Sequence, residues 1–126
     1  MLSTNIAQTS KIMVVDDSDD VRELIKTFLQ MRGYEIATAT DGIDALEKLK
    51  KDQIPLIITD INMPKMNGQE LLEAISKLSQ PYKAVVMSTY IEDELKDDLR
   101  RKGAVAFLLK PFSLQQLEEI ISDSIS

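Results

Sequence analysis

Residues 54–68 read Ile54-Pro-Leu-Ile-Ile-Thr-Asp60-Ile-Asn-Met-Pro-Lys-Met-Asn-Gly68, an apolar run that ends on an acid and passes into turn residues. The run Leu56-Ile57-Ile58 is rich in β-branched residues, which is typical of a strand buried on both faces of a sheet. The asparagine, proline and glycine residues beyond Asp60 predict a loop, because they favour turns and cannot continue a central strand. Open α/β sheets bind ligands at the carboxyl ends of their strands. Asp60 is therefore the first candidate functional residue.

The same alternation of buried strand and amphipathic helix runs through the rest of the chain. Short apolar runs predict four more strands, at residues 11–17, 34–39, 82–88 and 104–110. Apolar residues at helical spacing predict helices at residues 18–32, 41–50, 69–78, 92–102 and 113–125, with Ser18 or Asp19 and Ser113 as caps and Pro81 ending the third. Five strand–helix units with short connections predict a (βα)₅ domain, in which helices cover both faces of a parallel sheet.

Length and hydropathy indicate one globular domain. The 126 residues, 44% of them apolar, suffice for a real hydrophobic core. Residues 1–10 are polar and aperiodic and predict a flexible lead-in, so the domain is expected over residues 11–126. No run approaches the ~18 apolar residues of a membrane span, and the N-terminus lacks the basic and apolar regions of a signal peptide. We expect a cytoplasmic protein with no membrane partner.

Charge and residue usage exclude several classes of function. A net charge of −6 argues against a nucleic-acid partner, which favours a basic surface. The chain has no cysteine and no histidine, so thiolate nucleophiles, disulfides, imidazole bases and His-ligated zinc are excluded. The remaining acidic and hydroxyl side chains favour oxygen ligation, and hence Mg²⁺, Mn²⁺ or Ca²⁺.

Polar residues cluster at the carboxyl ends of four predicted strands. They are Asp16 and Asp17, Asp60, Ser88 and Thr89, and Lys110. In a parallel sheet these ends share one edge, where three carboxylates repel one another unless a cation lies among them. A divalent ion and the lysine would relieve that repulsion. The set therefore predicts a site for Mg²⁺ and a phosphoryl group, with one carboxylate as the phosphoryl acceptor.

Four motifs together resemble a known family. They are Val14-Val-Asp16-Asp17; Thr59-Asp60-Ile-Asn62-Met-Pro64 with Gly68; Met87-Ser88-Thr89; and Gly103-Ala104 followed by Phe107-Leu-Leu-Lys110-Pro111-Phe112. In this order and spacing they closely resemble the receiver domain of bacterial two-component response regulators, of the stand-alone, chemotaxis-regulator type, over residues 10–125. The resemblance implies a doubly wound, flavodoxin-like five-stranded parallel sheet with strand order 2-1-3-4-5.

The resemblance also implies roles for the acidic residues. Asp60 would be the nucleophile that takes a phosphoryl group from a phosphohistidine on a partner. Asp17 and Asp60 would bind Mg²⁺, or Mn²⁺ in its place, through their carboxylates. Asn62 would bind it through its backbone carbonyl, and Asp16 mainly through water.

Three further residues would couple phosphorylation to a change of shape. Ser88 would hydrogen-bond a phosphoryl oxygen, and Lys110 would pair with another as a compact charge. A cis peptide at Lys110–Pro111 would direct the lysine inward. Phe107 lies where the family has a switch aromatic that turns inward once Ser88 moves toward the phosphate. The packing change would alter the face formed by the fourth helix, fifth strand and fifth helix.

The implied partners are a histidine kinase or histidine phosphotransfer protein and a downstream protein target, with the domain a monomer or weak dimer. No second domain follows the last helix, so the output is expected to pass through protein contacts, unless the chain is part of a longer regulator. The domain is not expected to be an enzyme beyond its own Mg²⁺-dependent phosphorylation and dephosphorylation.

Some features leave other interpretations open. Serine at 88 replaces the family's commoner threonine, and the missing methyl group indicates looser coupling. Phenylalanine at 107 replaces the commoner tyrosine and has no hydroxyl with which to hydrogen-bond a partner. Neither change removes the phosphoacceptor chemistry. The charged run at residues 92–102 is most simply a solvated helix face. Two alternative functions remain: a pseudo-receiver that binds partners without phosphorylation, and a small Mg²⁺-dependent phosphohydrolase.

Overall fold

Five strands alternate with five helices along the residues that the structure, a computed structural model, describes (11–125). In chain order they are β1 (Lys11–Val15), α1 (Asp19–Met31), β2 (Glu35–Ala39), α2 (Gly42–Lys51), β3 (Leu56–Asp60), α3 (Gly68–Ser76), β4 (Lys83–Ser88), α4 (Asp93–Arg101), β5 (Ala104–Leu109) and α5 (Leu114–Ile125). The predicted lead-in over residues 1–10 lies outside the described residues.

The strands form one parallel sheet in the order β2-β1-β3-β4-β5, which confirms the predicted fold and strand order. Val15 pairs with Thr59, Asp60 with Met87, and Ser88 with Leu109. This register brings the carboxyl ends of four strands to one edge. The polar residues at those ends are therefore neighbours, although up to about 90 residues separate them in sequence.

Two apolar layers cover the sheet and explain the continuous apolar runs of its central strands. On one face, α1 and α5 pack on side chains such as Ile58 and Val85. On the other face, α2, α3 and α4 pack on Ile57 and Val86. β3 is buried along its whole length, whereas β2, at the sheet edge, is mostly half-buried. No helix within residues 11–125 has the length and apolarity needed to cross a bilayer.

Side-chain caps fix where three helices begin beside the carboxyl edge. Ser18 accepts a hydrogen bond from the Val21 amide at 3.3 Å, and Asp41 accepts one from the Asp44 amide at 2.8 Å. Asn67 and Glu70 form a reciprocal capping box. Each cap satisfies an amide that the first helical turn leaves unpaired. The caps therefore position the loops that carry the polar residues of the edge.

The third helix is shorter than its apolar spacing predicts. The spacing predicts a helix through Leu78 that Pro81 ends, but α3 stops at Ser76. The amides of Lys77 and Leu78 bond carbonyls three residues earlier, at 3.2 and 2.9 Å, and these tight turns close the helix. Leu78 still packs against the core, so the periodicity reported its burial rather than its backbone hydrogen bonds.

Tyr82, which directly precedes β4, connects that strand to α3 and to the end of α4. Its hydroxyl donates to the carbonyl of Lys102, after α4, and lies 3.4 Å from the carbonyl of Leu72 in α3. Burial, together with the nearby charge of Glu73, raises the pKa of Tyr82 to about 12 from 10.0. The fold therefore favours the neutral phenol, and ionisation of the ring opposes folding.

Substitution of Tyr82 should change stability in a pH-dependent way. We expect Tyr82→Phe to lower the free energy of unfolding at neutral pH by about 1 kcal/mol, because the hydroxyl hydrogen bond is lost. The raised pKa gives a stabilisation that is present below pH 10.0 and is lost as the pH rises toward 12. The difference between wild type and variant, measured by urea unfolding, should therefore decline over that interval. Tyr90→Phe, at a 73% exposed position, is the control; a Tyr82 difference that stays constant would contradict this account.

Candidate functional site

Three carboxylates meet at the carboxyl edge of the sheet. Asp16 and Asp17 follow β1 directly, and Asp60 is the last residue of β3. One carboxylate oxygen from each lies within 4.8 Å of the others. Asp16 and Asp60 are buried, whereas Asp17 is exposed. Two acids of the cluster are therefore shielded from solvent, and the third, Asp17, is accessible to it.

Asp16 lacks a full set of partners for its charge. Its Oδ1 accepts a hydrogen bond from the Ser18 amide at 2.9 Å, while its buried Oδ2 accepts none from any described residue. Burial raises the pKa of Asp16, and the charges of Asp60 and Asp17 raise it further, against the Ser18 amide and Lys110. A buried oxygen that accepts no hydrogen bond, together with two neighbouring carboxylates, gives an all-oxygen donor set that suits Mg²⁺. The residues present therefore fit a divalent cation.

Lys110 is the lysine of the acidic cluster, and no other described residue places an ammonium group there. It follows β5, and its Nζ lies 2.8 Å from Asp60 Oδ2 and 3.5 Å from Asp16 Oδ2. Burial lowers the pKa of Lys110, but the hydrogen bond to Asp60 and the charge of Asp16 outweigh it, so the pKa is raised. The lysine stays protonated beside the acids. The Lys110–Pro111 peptide bond is cis.

The loop after β3 holds the Asp60 carboxylate from its other side. The backbone amide of Asn62 donates a hydrogen bond to Asp60 Oδ1 at 3.0 Å. Because Lys110 donates to Oδ2, each carboxylate oxygen of Asp60 has one donor. Gly68 closes the loop, and its amide donates to the Ile61 carbonyl at 2.9 Å. A Cβ at position 68 would lie 2.7 Å from the Asp60 carbonyl oxygen and 2.8 Å from Ile61 Cα. Both contacts are with backbone atoms, so this close approach requires glycine.

Ser88 lies beside the cluster, but its hydroxyl is hydrogen-bonded to the backbone two residues later. It is buried at the end of β4, one residue beyond Met87, which pairs with Asp60. Its Oγ donates to the Tyr90 carbonyl at 2.9 Å and accepts from the Tyr90 amide at 3.2 Å. The structure thus places Ser88 next to the strand end that carries Asp60, with its hydroxyl bonded to the Tyr90 backbone.

Phe107 lies apart from the carboxylates, on the face of the sheet that α4 covers. It pairs with Val86 and packs at the margin of the core. Lys96 and Arg100 of α4 lie over its ring, at 5.8 and 5.2 Å from the centroid. Arg100 is exposed, as expected of a solvated helix face, but the contact of these two side chains with Phe107 was not predicted. Their spacing of four residues was the available signal, because it places both on one side of the helix.

An apolar groove opens next to Lys110 and was not foreseen from the sequence. It measures about 440 Å³ and is lined by Val21, Leu24, Ile25, Thr89, Lys110, Pro111, Phe112 and Leu114. Leu24, on α1, is 57% exposed. Leu24 therefore lies at the rim of this groove rather than in the core.

Fold and site together define a class of protein: a doubly wound α/β domain with an acidic, lysine-containing site at the carboxyl edge of its sheet. The family model described as response regulator receiver domain matches residues 12–122, and the chain belongs to that family. Receiver domains are signalling proteins rather than classical enzymes, and they bind Mg²⁺ at a cluster of aspartates like the one seen here.

Relatives and solved structures agree with this assignment. The chain is 31% identical over 113 residues to chemotaxis protein CheY from Thermotoga maritima, covering 89% of this chain and 94% of CheY. CheY4 from Vibrio cholerae superposes with a TM-score of 0.86 at 35% identity, covering 91% of this chain and 98% of CheY4. The structure of a CheX–CheY–beryllofluoride–Mg²⁺ complex from Borrelia burgdorferi gives a TM-score of 0.86 at 27% identity. The match covers 93% of this chain and 90% of the other.

The relatives differ widely in length. The chain spans 94% of one CheY but 13% of a much longer sensor kinase. The receiver domain is therefore the unit that all these proteins share, and the family assignment applies to that unit.

Proposed function

We propose that this receiver domain accepts a phosphoryl group on Asp60 from a phosphohistidine of a histidine kinase or histidine phosphotransfer protein. The observation that carries the proposal is the environment of the Asp60 carboxylate. Its two oxygens are held by Lys110 Nζ at 2.8 Å and the Asn62 amide at 3.0 Å, inside a cluster with Asp16 and Asp17. The carboxylate is thus fixed in orientation next to donors that suit a phosphoryl group.

A divalent cation is part of the proposal. Asp16, Asp17, Asp60 and the backbone carbonyl of Asn62 would hold Mg²⁺, with Mn²⁺ as a substitute of similar ligand preference. When bound, the ion would supply positive charge that offsets the repulsion among the carboxylates and the incoming phosphoryl group.

The side chains divide the transfer step between them. An oxygen of Asp60 forms a bond to phosphorus as the bond from phosphorus to the donor imidazole nitrogen breaks, and the imidazole leaves with that electron pair. Lys110 remains protonated and pairs with a phosphoryl oxygen, which stabilises negative charge in the transition state and the product. A carboxylate nucleophile needs no general base.

The local change then spreads through Ser88 and Phe107. The phosphoryl group brings about −1.5 to −2 charges and strong acceptor oxygens. Ser88 exchanges its hydrogen bonds with Tyr90 for one to a phosphoryl oxygen, and Phe107 turns toward the space that Ser88 leaves. The packing of α4, β5 and α5 changes as a result, and a downstream protein reads that face. The domain catalyses only its own phosphorylation and dephosphorylation.

The apolar groove supports a protein phosphodonor. Lys110 lines the groove and also contacts Asp60, so a partner seated there holds its phosphohistidine close to the acceptor. Exposed Leu24 forms part of its rim. We further propose that residues 11–126 act as one cytoplasmic domain, monomeric or weakly dimeric, with no nucleic-acid partner.

A charge placed in the groove should separate protein donors from small donors. We expect Leu24→Asp to slow phosphotransfer from a histidine phosphotransfer protein by about tenfold or more. The reason is that docking would bury the new carboxylate in an apolar contact. The rate with acetyl phosphate, which needs no groove, should stay within about twofold. Met31→Asp, the same change at an 80% exposed position near the end of the same helix, is the control. Equal slowing with both donors would contradict docking in the groove.

The phosphoacceptor function is tested directly by intact-mass measurement. Incubation with Mg²⁺ and acetyl phosphate or phosphoramidate should add a single phosphoryl group, and chelation of the metal should prevent it. Absence of an adduct would favour a pseudo-receiver, and rapid turnover of unrelated phosphomonoesters would favour a phosphohydrolase.

A further inference from the structure

The ring of Phe107 lies under two cations of one helix. Lys96 Nζ and the guanidinium carbon of Arg100 are 5.8 and 5.2 Å from the ring centroid. Both distances fall within the roughly 6 Å over which a cation is attracted to an aromatic face. Because the two residues are four positions apart on α4, they approach the ring from the same side. The ring is half-buried and packs against the core through its remaining surface.

We propose that Lys96 and Arg100 form a latch that stabilises the unphosphorylated position of Phe107 and thereby sets how readily the domain adopts its phosphorylated conformation. The inference rests on the proposed function, in which Phe107 turns toward Ser88. A ring that turns toward Ser88 moves out from beneath α4 and loses both cations. Their attraction therefore stabilises only one of the two conformations, which is the condition for a shift in populations.

The contact gives a quantitative expectation for ligands of the phosphorylated conformation. The apparent dissociation constant of such a ligand varies inversely with the population of the state that binds it. An exposed cation–π contact is strong enough to change that population by about two- to fivefold. Neutralising either cation should therefore tighten binding of a phosphoryl analogue by about two- to fivefold, and neutralising both should tighten it further.

The helix supplies a matched control for this change. Arg100 and Arg101 are both exposed, and each pairs with an aspartate three residues earlier, Asp97 at 3.0 Å and Asp98 at 3.6 Å. Within residues 11–125, Arg101 makes no contact with an aromatic ring, whereas Arg100 lies over Phe107. Arg100→Gln and Arg101→Gln therefore remove the same charge and the same kind of surface ion pair, and they differ in the ring contact.

The experiment measures beryllofluoride affinity at saturating Mg²⁺ by titration calorimetry. We expect Lys96→Gln and Arg100→Gln each to bind about two- to fivefold more tightly than the unsubstituted protein, and Arg101→Gln to bind as the unsubstituted protein does. In a Phe107→Leu background, Arg100→Gln should lose its effect, because no ring remains for the cation to hold.

Three outcomes would overturn the latch, and they are distinguishable. If the unsubstituted protein binds beryllofluoride but Arg100→Gln matches Arg101→Gln, the latch is wrong while the phosphoacceptor function stands. If the unsubstituted protein does not bind beryllofluoride with Mg²⁺, the proposed function fails and the latch fails with it. Persistence of the Arg100→Gln effect in the Phe107→Leu background would also contradict a contact that acts through the ring.

Discussion

Asp60→Asn is expected to abolish the phosphoryl adduct with every donor, protein or small molecule. The amide is nearly isosteric with the carboxylate and can still accept from the Asn62 amide, so the loop after β3 should keep its shape. An amide oxygen is, however, a far weaker nucleophile than a carboxylate oxygen. The adduct, measured by intact mass after incubation with Mg²⁺ and acetyl phosphate, should therefore fall to background rather than merely decrease.

Asp41→Asn is the matched control for that result. Asp41 is also a buried acid at the carboxyl edge, where it caps α2 and lies 3.6 Å from Lys65. Asparagine caps helices about as well as aspartate, so the fold should be preserved. Asp41→Asn should be phosphorylated like the unsubstituted protein. A full adduct on Asp60→Asn, or an equal loss in both variants, would contradict the role of Asp60.

Lys110→Ala is expected to separate metal binding from phosphotransfer. Removing an ammonium 2.8 Å from Asp60 and 3.5 Å from Asp16 leaves the acids more negative, so Mg²⁺ should bind at least as tightly as before. Phosphorylation by acetyl phosphate should slow on the order of 10²-fold, which is the usual effect of losing one donor to a developing charge. Mg²⁺ titration and the rate of adduct formation measure the two effects separately.

The same variant should also lose the communication from Asp60 to the α4–β5–α5 face. In the unsubstituted protein, beryllofluoride should shift amide resonances both around Asp60 and around Phe107. In Lys110→Ala the shifts should remain near Asp60. Lys83→Ala removes a lysine that bonds the Ser124 carbonyl at 2.9 Å, away from the carboxyl edge, and should leave both sets of shifts unchanged. An undiminished response around Phe107 in Lys110→Ala would contradict the role of Lys110.

Much of the fold and of the acidic site could be predicted from the sequence, because both depend on strong local signals. A strand buried on both faces must be apolar throughout, so the acid that ends Leu56–Asp60 stands out against it. Parallel topology then fixes which strand ends are neighbours. Asp16, Asp17, Asp60 and Lys110 could therefore be placed together before any distance was known.

Other features depend on contacts that no local pattern records. Apolar spacing reports which side chains are buried, and Leu78 stays in contact with the core although α3 ends at Ser76. The position of Leu24 depends on how α1 packs beside the loop after β5. The orientation of the Ser88 hydroxyl and the cations over Phe107 depend on rotamers and on the docking of α4. Such features require tertiary structure.

The most direct test of the central proposal locates the phosphoryl group within the chain. Phosphorylated protein is reduced with borohydride, which converts a phosphoaspartate to homoserine, and is then digested and sequenced by mass spectrometry. We expect homoserine at position 60 alone, formed only after incubation with Mg²⁺ and a phosphodonor. Homoserine at Asp16 or Asp17, or a phosphate retained on Ser88, would contradict the assignment of Asp60 as the acceptor.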